Sequence, residues 1–126
     1  NDAAALGALK AGVKFVGEYP MTPSSSFLSF FAAHELDYKI TTKHTEDELA
    51  AMNMVVGAAI SGARAMTATS GGGFALMNEA LGMAAIMETP VVAFECMRGG
   101  PSTGIPTYTD QSDLKFVINS LKENFL

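Results

Sequence analysis

Three carboxylates stand together at the start of an apolar segment, and they are the side chains of this sequence best placed to do chemistry. Glu46, Asp47 and Glu48 come directly before residues 49–60, which are almost all apolar. A helix that is apolar on every side is normally buried, so at least one of these acids is expected to enter the protein with it. A buried carboxylate is costly without a partner. The pattern therefore predicts a carboxyl group with a specific partner or a chemical function.

The same residues also fit a purely structural role. Thr45 and Glu48 have the spacing of a capping box, in which the threonine oxygen accepts the N–H of Glu48 and Glu48 reaches back to Thr45. Acidic side chains in a first turn also suit the helix dipole. The Glu48 carboxylate cannot point both to Thr45 and into a site, and these residues alone leave both roles open.

Composition bounds the class of protein. The 126 residues are 48% hydrophobic and 17% charged, which is typical of one globular domain or part of one. The net charge of −5 argues against nucleic acid or an anionic membrane as partner. No apolar run is long enough for a membrane span, and the first residues lack the basic region of a secretory signal. The single cysteine, Cys96, excludes an internal disulfide and an iron–sulfur cluster held by this chain's own cysteines, and we expect a cytoplasmic location.

Helix and strand patterns alternate along the chain. Short apolar or β-rich runs predict strands, and Gly or Pro ends most of the helical segments between them. Such alternation is typical of an α/β fold with a parallel sheet and helices on both faces. The predicted helices cover residues 3–11, 27–33 behind hydroxyl caps at 24–26, 46–61, 74–87 and 113–125, and the predicted strands cover 13–17, 38–42, 63–69 and 91–96.

Ligands of such sheets bind beyond the carboxyl ends of the strands. Three unusual loops follow predicted strands, at residues 19–25, 69–73 and 98–109. Glu48 follows the predicted strand 38–42 and belongs to the same edge. This convergence favours a functional role for Glu48 over the cap alone.

Other candidate groups favour structural roles. Gly71 and Gly73 do not complete a dinucleotide motif, because Leu76 holds the third glycine position, so a tight turn with close helix–sheet packing is favoured. No Gly-Lys-Ser/Thr sequence is present.

Metal and triad chemistry find little support either. His34 and His44 have no partners at metal-ligand spacing, and Ser70 has no convincing His/Asp pair. Cys96 ends a strand predicted to be buried and is expected in the core.

Two further polar residues have a functional and a structural interpretation. Arg98 directly follows a strand, where a guanidinium suits a carboxylate ligand, although a solvated loop arginine fits equally. Thr22 stands before Pro23 on a stiff loop that could fix its hydroxyl, or it is a simple turn residue.

Five ordered blocks give the chain a family resemblance. It resembles the alpha subunit of 2-oxoacid:ferredoxin oxidoreductases, and the run TDQSDL at 109–114 adds a likeness to the 2-oxoglutarate-type branch. The resemblance covers about residues 3–114. The blocks are YPMTPSS at 19–25, EDELAAMNM at 46–54, GARAMTATSG at 62–71, ETP at 88–90 and RGGPSTG at 98–104.

The resemblance implies the fold of the pyrimidine-binding domain of thiamine diphosphate enzymes, here over residues 1–126 and truncated. It implies oxidative decarboxylation of a 2-oxoacid, expected to be 2-oxoglutarate, to an acyl-CoA with electron transfer to ferredoxin. Alternatives are a relative acting on pyruvate or branched-chain 2-oxoacids, or a non-catalytic assembly or regulatory domain of the same fold.

The resemblance also implies roles for individual residues. Glu48 matches the catalytic acid that binds a ring nitrogen of the aminopyrimidine and favours its imino tautomer. Thr22 and Arg98 match substrate-binding positions. The implied cofactor-binding residues are Pro20, Met21, Glu48, Thr69, Ser70 and Gly71.

The same likeness implies a hetero-oligomer. Thiamine diphosphate would be shared with a beta subunit that carries the diphosphate-binding domain, and Mg and an iron–sulfur cluster would lie on partner chains or domains. Ferredoxin, the 2-oxoacid and coenzyme A are the other expected partners, and the fragment alone is expected to be inactive. The sequence departs from the family at Gly72, where proline is usual, at Glu18, where glycine is common, and after Leu114.

Overall fold

A four-stranded parallel sheet lies between two layers of helices, as the alternation predicts. The computed structural model describes residues 1–97 and 112–121. The strands follow the spatial order β2-β1-β3-β4, and all three neighbouring pairs are parallel. The elements in chain order are α1 (Asp2–Lys10), β1 (Phe15–Glu18), α2 (Ser25–Tyr38), β2 (Thr41–His44), α3 (Glu48–Ile60), β3 (Ala65–Thr69), α4 (Gly71–Ile86), β4 (Val92–Glu95) and α5 (Ser112–Asn119).

Each face of the sheet has its own apolar core. On one face α1 and α2 pack against the central strands, with Val16, Phe27 and Phe31 buried between them. On the other face α3 and α4 pack together around Met52 and Met77. Helix α5 adds to this second layer, where Val117 and Leu121 contact the same cluster and Phe116 meets Phe74 edge to face at 5.6 Å. The fold class predicted from the sequence is confirmed.

The second strand lies further along the chain than predicted. Tyr38 ends α2, and Lys39 then adopts a left-handed conformation with φ of 52° that closes the helix. Ile40 enters the core, and β2 begins only at Thr41. The prediction of a strand over 38–42 was therefore wrong at its start, because the apolar residues that suggested a strand serve the helix end and the core instead.

The start of α4 and the burial of β4 also differ from the predictions. The residues 71–73 form the first turn of α4 and not a separate loop. Strand β4 was expected to be buried, but it is an edge strand of the described sheet with exposed Val92 and Phe94.

Within residues 1–97 and 112–121, none of the helices has both the length and the apolar character that crossing a membrane requires.

Candidate functional site

The candidate site lies along the edge where the parallel strands end. Strand β1 ends at Glu18, β2 at His44 and β3 at Thr69. Because β2 and β3 each run directly into the next helix, the N-termini of α3 and α4 lie at the same edge. Helix α3, which starts at Glu48, and helix α4, which starts at Gly71, therefore begin side by side, and they pack against each other.

Asp47 caps α3, so Glu48 has no capping role. The Asp47 carboxylate accepts the N–H of Ala50 at 2.6 Å, and the Thr45 hydroxyl donates to the Asp47 carbonyl at 2.9 Å. Of the two roles left open for Glu48, the capping box with Thr45 is not the one observed, because the N-cap is Asp47, two positions after Thr45. Glu48 is instead the first residue of α3 and is free to point elsewhere.

Glu48 points into the protein. Its side chain is only 4% exposed, and its Oε1 has no hydrogen-bond partner among the residues that the structure describes. A buried, unpaired carboxyl oxygen is unfavourable in a folded chain and indicates a missing partner. This is the state that the sequence predicted for one of the three acids.

The first turn of α4 leaves space for this carboxylate. A Cβ on Gly73 would lie 2.7 Å from Glu48 Cγ and 2.9 Å from Glu48 Oε1, and it would overlap the Thr69 hydroxyl oxygen. Any side chain at this position would therefore displace Glu48 or Thr69. The glycines predicted to allow close helix–sheet packing do so here, where a carboxylate passes over bare backbone.

Other residues of this edge are buried beside Glu48. Thr69 and Ser70 are fully buried, and Ser70 is the N-cap residue of α4. Gly71 is also buried, and the carboxylate of Asp113 from α5 lies against it. The structure thus brings three of the predicted cofactor-binding residues, Thr69, Ser70 and Gly71, to the edge that carries Glu48.

The loop after β1 carries the remaining predicted residues. Pro20 and Met21 are half-buried, and Thr22 is exposed. Ser24 closes the turn around Thr22, because both its N–H and its hydroxyl bind the Met21 carbonyl, at 2.7 and 2.6 Å. Arg98 lies outside the described residues.

Sequence reasoning missed Glu18. It is fully buried at the end of β1, and burial raises the pKa of its carboxyl to about 8, a shift that the nearby Ser24 hydroxyl partly opposes. The sequence marked it only as a departure from a glycine that is common in the family. The available signal was an acid that directly continues an apolar strand.

The lesser candidates have structural surroundings. His34 stacks on Phe30 with ring centroids 4.4 Å apart, and its Nδ1 lies 2.7 Å from the Phe30 carbonyl oxygen. Cys96 is half-buried against the α1–α2 core, not fully within it, and burial, then Glu95 and Glu18, raise the pKa of its thiol. In the described part of the chain, no three His, Cys, Asp or Glu side chains are grouped to hold a metal.

Comparison with known proteins assigns the family. The model of the pyruvate flavodoxin/ferredoxin oxidoreductase, thiamine diphosphate-binding family matches residues 6–123. The chain belongs to this family. The resemblance seen in the sequence motifs is thereby confirmed.

Individual relatives agree with the assignment. A 2-oxoacid:ferredoxin oxidoreductase subunit alpha from Saccharolobus solfataricus is 46% identical over 132 residues, which cover 95% of this chain and 21% of the relative. The 2-oxoglutarate synthase subunit KorA from Archaeoglobus fulgidus is 50% identical over 113 residues, which cover 90% of this chain and 33% of KorA. The chain thus spans about a fifth to a third of the length of these relatives.

A solved structure shares the fold. The 2-oxoglutarate:ferredoxin oxidoreductase from Magnetococcus marinus, with 2-oxoglutarate, coenzyme A and succinyl-CoA bound, superposes with a TM-score of 0.86 at 44% sequence identity. The match covers 91% of this chain and 20% of that one.

Proposed function

We propose that this chain forms the pyrimidine-binding domain of the alpha subunit of a 2-oxoacid:ferredoxin oxidoreductase that converts 2-oxoglutarate to an acyl-CoA. The domain would take in residues 1–126. The observation that carries the proposal is Glu48, a buried acid with an unpaired oxygen at the carboxyl edge of a parallel sheet. The family assignment and the names of the relatives support the same activity.

The residues around Glu48 fit an aminopyrimidine. The unpaired Oε1 suits a protonated ring nitrogen, and glycine at position 73 keeps the approach to it free of a side chain. When bound, thiamine diphosphate supplies the carbon nucleophile and the electron sink for decarboxylation. Glu48 would accept the hydrogen bond of this protonated ring nitrogen at Oε1, so that one proton lies between the two atoms, and this contact would set the tautomer of the ring.

The neighbouring residues take supporting roles in this proposal. Thr69, Ser70 and Gly71 would form one wall of the cofactor site, with Pro20 and Met21 on the loop after β1. These five residues lie at the same edge of the sheet as Glu48.

Two residues would bind the substrate. Thr22 lies exposed on the loop after β1, where its hydroxyl can reach a ligand. Arg98 would bind a carboxylate of the 2-oxoacid, since a guanidinium pairs with a carboxylate through two hydrogen bonds.

The rest of the reaction would take place on other segments or chains. The relatives are named as alpha subunits of ferredoxin oxidoreductases, which supports further subunits and ferredoxin as the electron acceptor. A beta subunit with the diphosphate-binding domain would hold Mg, and any iron–sulfur cluster would lie on another segment or chain, since these residues include a single cysteine. A cytoplasmic location stays a prediction.

The experiment replaces Glu48 by Gln in the full complex. Glutamine keeps the shape but cannot hold the proton, so acyl-CoA formation is expected to fall roughly 100-fold or more. Glu46→Gln is the matched control, because Glu46 is an exposed acid two residues earlier, and it should keep full activity. Unchanged acyl-CoA formation in the Glu48 variant would rule out the proposed role.

The substrate is tested on the parent complex. Some relatives are named for 2-oxoacids in general and others for 2-oxoglutarate, so kcat/KM is compared for 2-oxoglutarate, pyruvate and a branched-chain 2-oxoacid. The highest value for 2-oxoglutarate is expected. No turnover of any of the three, together with no binding of thiamine diphosphate, would favour the non-catalytic alternative.

A further inference from the structure

Glu18 is a buried acid for which the proposed reaction has no use. Neither of its carboxyl oxygens has a hydrogen-bond partner of sound geometry in residues 1–97 and 112–121. Val16, two residues earlier on β1, packs in the α1–α2 core, so Glu18 points to that face of the sheet. Glu48 lies against Thr69 and Gly73 on the α3–α4 face. The two acids are therefore separate sites.

Glu18 lies beneath the turn that carries Thr22. The Ser24 hydroxyl lowers the pKa of the Glu18 carboxyl, which places the two groups close together. The hydrogen of the Ser24 hydroxyl is donated to the Met21 carbonyl at 2.6 Å. The Ser24 N–H binds the same carbonyl at 2.7 Å, and the Ser24 carbonyl accepts the N–H of Phe27 at 2.8 Å. Ser24 thus ties the turn to the start of α2. Its hydroxyl oxygen can still accept a hydrogen bond.

We propose that Glu18 is a positioning residue that, as a neutral acid, donates its carboxyl hydrogen to the Ser24 hydroxyl and so holds the turn that presents Thr22. This arrangement gives one of the two buried carboxyl oxygens a partner and fixes the direction of the Ser24 hydrogen toward Met21. The effect on catalysis rests on the proposed contact between Thr22 and the substrate, whereas the effect on the turn does not.

The surroundings of Glu18 keep it neutral. Burial raises the pKa of its carboxyl to about 8, so the protonated form dominates at pH 7. The Cys96 thiol is the ionisable group linked to Glu18: its pKa is raised by burial, Glu95 and Glu18 and lowered by the amino group of Asn1. No Lys, Arg or His of the described residues is among the groups that shift the Glu18 pKa. Neutrality therefore comes from the burial of the carboxyl group.

Ionisation would reverse the hydrogen bond. A carboxylate only accepts, so it would compete with the Met21 carbonyl for the Ser24 hydrogen and loosen the turn. The turn should therefore weaken as the pH rises past the Glu18 pKa.

The test compares four forms of the full complex between pH 7 and pH 9. These are the parent, Glu18→Gln, Glu18→Leu and Ser24→Ala. One readout is amide hydrogen exchange of the segment 19–27, corrected for the intrinsic rate, and the other is KM for 2-oxoglutarate. In the parent, protection should fall and KM should rise about tenfold by pH 9, because one pH unit above the pKa leaves about a tenth of the acid neutral.

The variants separate positioning from simple packing. Glutamine still donates a hydrogen bond to Ser24, so Glu18→Gln should keep parent protection at pH 7 and show no change up to pH 9. Glu18→Leu and Ser24→Ala lack the donor or the acceptor and should be weakly protected at every pH. If the leucine variant fails to fold, the comparison is between the parent, whose protection should fall by pH 9, and Glu18→Gln, whose protection should stay constant, because Ser24→Ala also removes the hydrogen bond to Met21.

Two controls isolate Glu18 from other ionisable groups. Asp37→Asn changes an exposed acid on α2 and should keep the parent pH profile. Cys96→Ala removes the neighbouring thiol and should keep it as well.

The outcomes are distinct. A flat parent profile, or a glutamine variant as weakly protected as the leucine variant, overturns the proposal. Protection that follows the expected pattern without any change in KM supports the role of Glu18 and contradicts the proposed substrate contact of Thr22. Changes with pH in both the protection and KM support both the role of Glu18 and the proposed substrate contact of Thr22.

Discussion

Two buried carboxyl groups at one sheet edge illustrate how the same side chain serves different purposes in different surroundings. Glu48 lies against a glycine and a threonine with one oxygen unpaired, which suits a ligand that brings a hydrogen-bond donor. Glu18 is fully buried beside the Ser24 hydroxyl, and its burial favours the neutral acid. Environment and not residue type therefore decides which acid is available to a ligand.

The raised pKa of Glu18 makes the stability of the fold depend on pH. The folded state keeps the Glu18 proton up to about pH 8, whereas the unfolded chain loses it near 4.5. Between these values the folded state binds more protons, so this contribution to the free energy of unfolding is full below pH 4.5 and falls as the pH rises, by at most about 1.4 kcal/mol per unit.

Glu18→Gln should remove this dependence. The difference in free energy of unfolding between the variant and the parent is expected to grow in favour of the variant from pH 5.5 to pH 7.5. Urea unfolding at both pH values measures it. Parallel pH profiles of the two proteins would contradict the assigned pKa.

At the scale of the elements, the first turn of α4 is shaped by the helix beside it. Glycine has a low helix propensity, yet 71–73 form helical backbone. A side chain at Gly71 would meet Asp113, and one at Gly73 would meet Glu48 and Thr69. The close packing at the start of α4 thus requires glycine at positions 71 and 73, although glycine has a low helix propensity.

Gly73→Ala should therefore disturb the site more than the fold. The added methyl group would displace Glu48 or Thr69, and acyl-CoA formation by the full complex is expected to fall roughly 100-fold. Gly82→Ala is the matched control in the same helix, since its Cβ would meet nothing within 4 Å. It should keep activity and gain about 0.5–1 kcal/mol of stability. Equal activity of the two variants would show that Gly73 leaves Glu48 in place.

Sequence patterns predicted the elements well and their ends less well. The apolar run after Glu48 and the strand–helix alternation fixed the fold class, because both depend on burial, which periodicity records. The Tyr38 region and the cap at Asp47 were misplaced, because a left-handed Lys39 and a competition between adjacent acids depend on local geometry. Glu18 was missed because its burial depends on the turn before α2, which covers the end of β1 and is not visible in the local sequence pattern.

At the scale of the whole molecule, the helices of the α3–α4 layer have two kinds of methionine. Met52 and Met77 are fully buried in the core between the helices. Met54, Met83 and Met87 are exposed, and large apolar side chains such as Leu49 and Ile86 lie exposed on the same two helices. Apolar surface of this extent is typical of a face covered by another segment or chain.

Methionine oxidation tests whether this face is covered in the full complex. Met54, Met83 and Met87 are expected to react with peroxide as slowly as the buried Met52 and Met77, measured by mass spectrometry of peptides. Met52 and Met77 serve as internal references for protection. Oxidation of the exposed methionines at the rate of free methionine would mean that solvent reaches this face in the assembled protein.

Because Asp47 caps α3 while Glu48 points into the protein, the charge beside the candidate acid can be changed by design. Since the Asp47 side chain only has to accept the Ala50 N–H, asparagine can take its place with the helix start intact. Such an exchange removes one negative charge next to Glu48 and leaves its position unchanged. The electrostatic potential at this carboxyl can therefore be tuned stepwise on a fixed backbone.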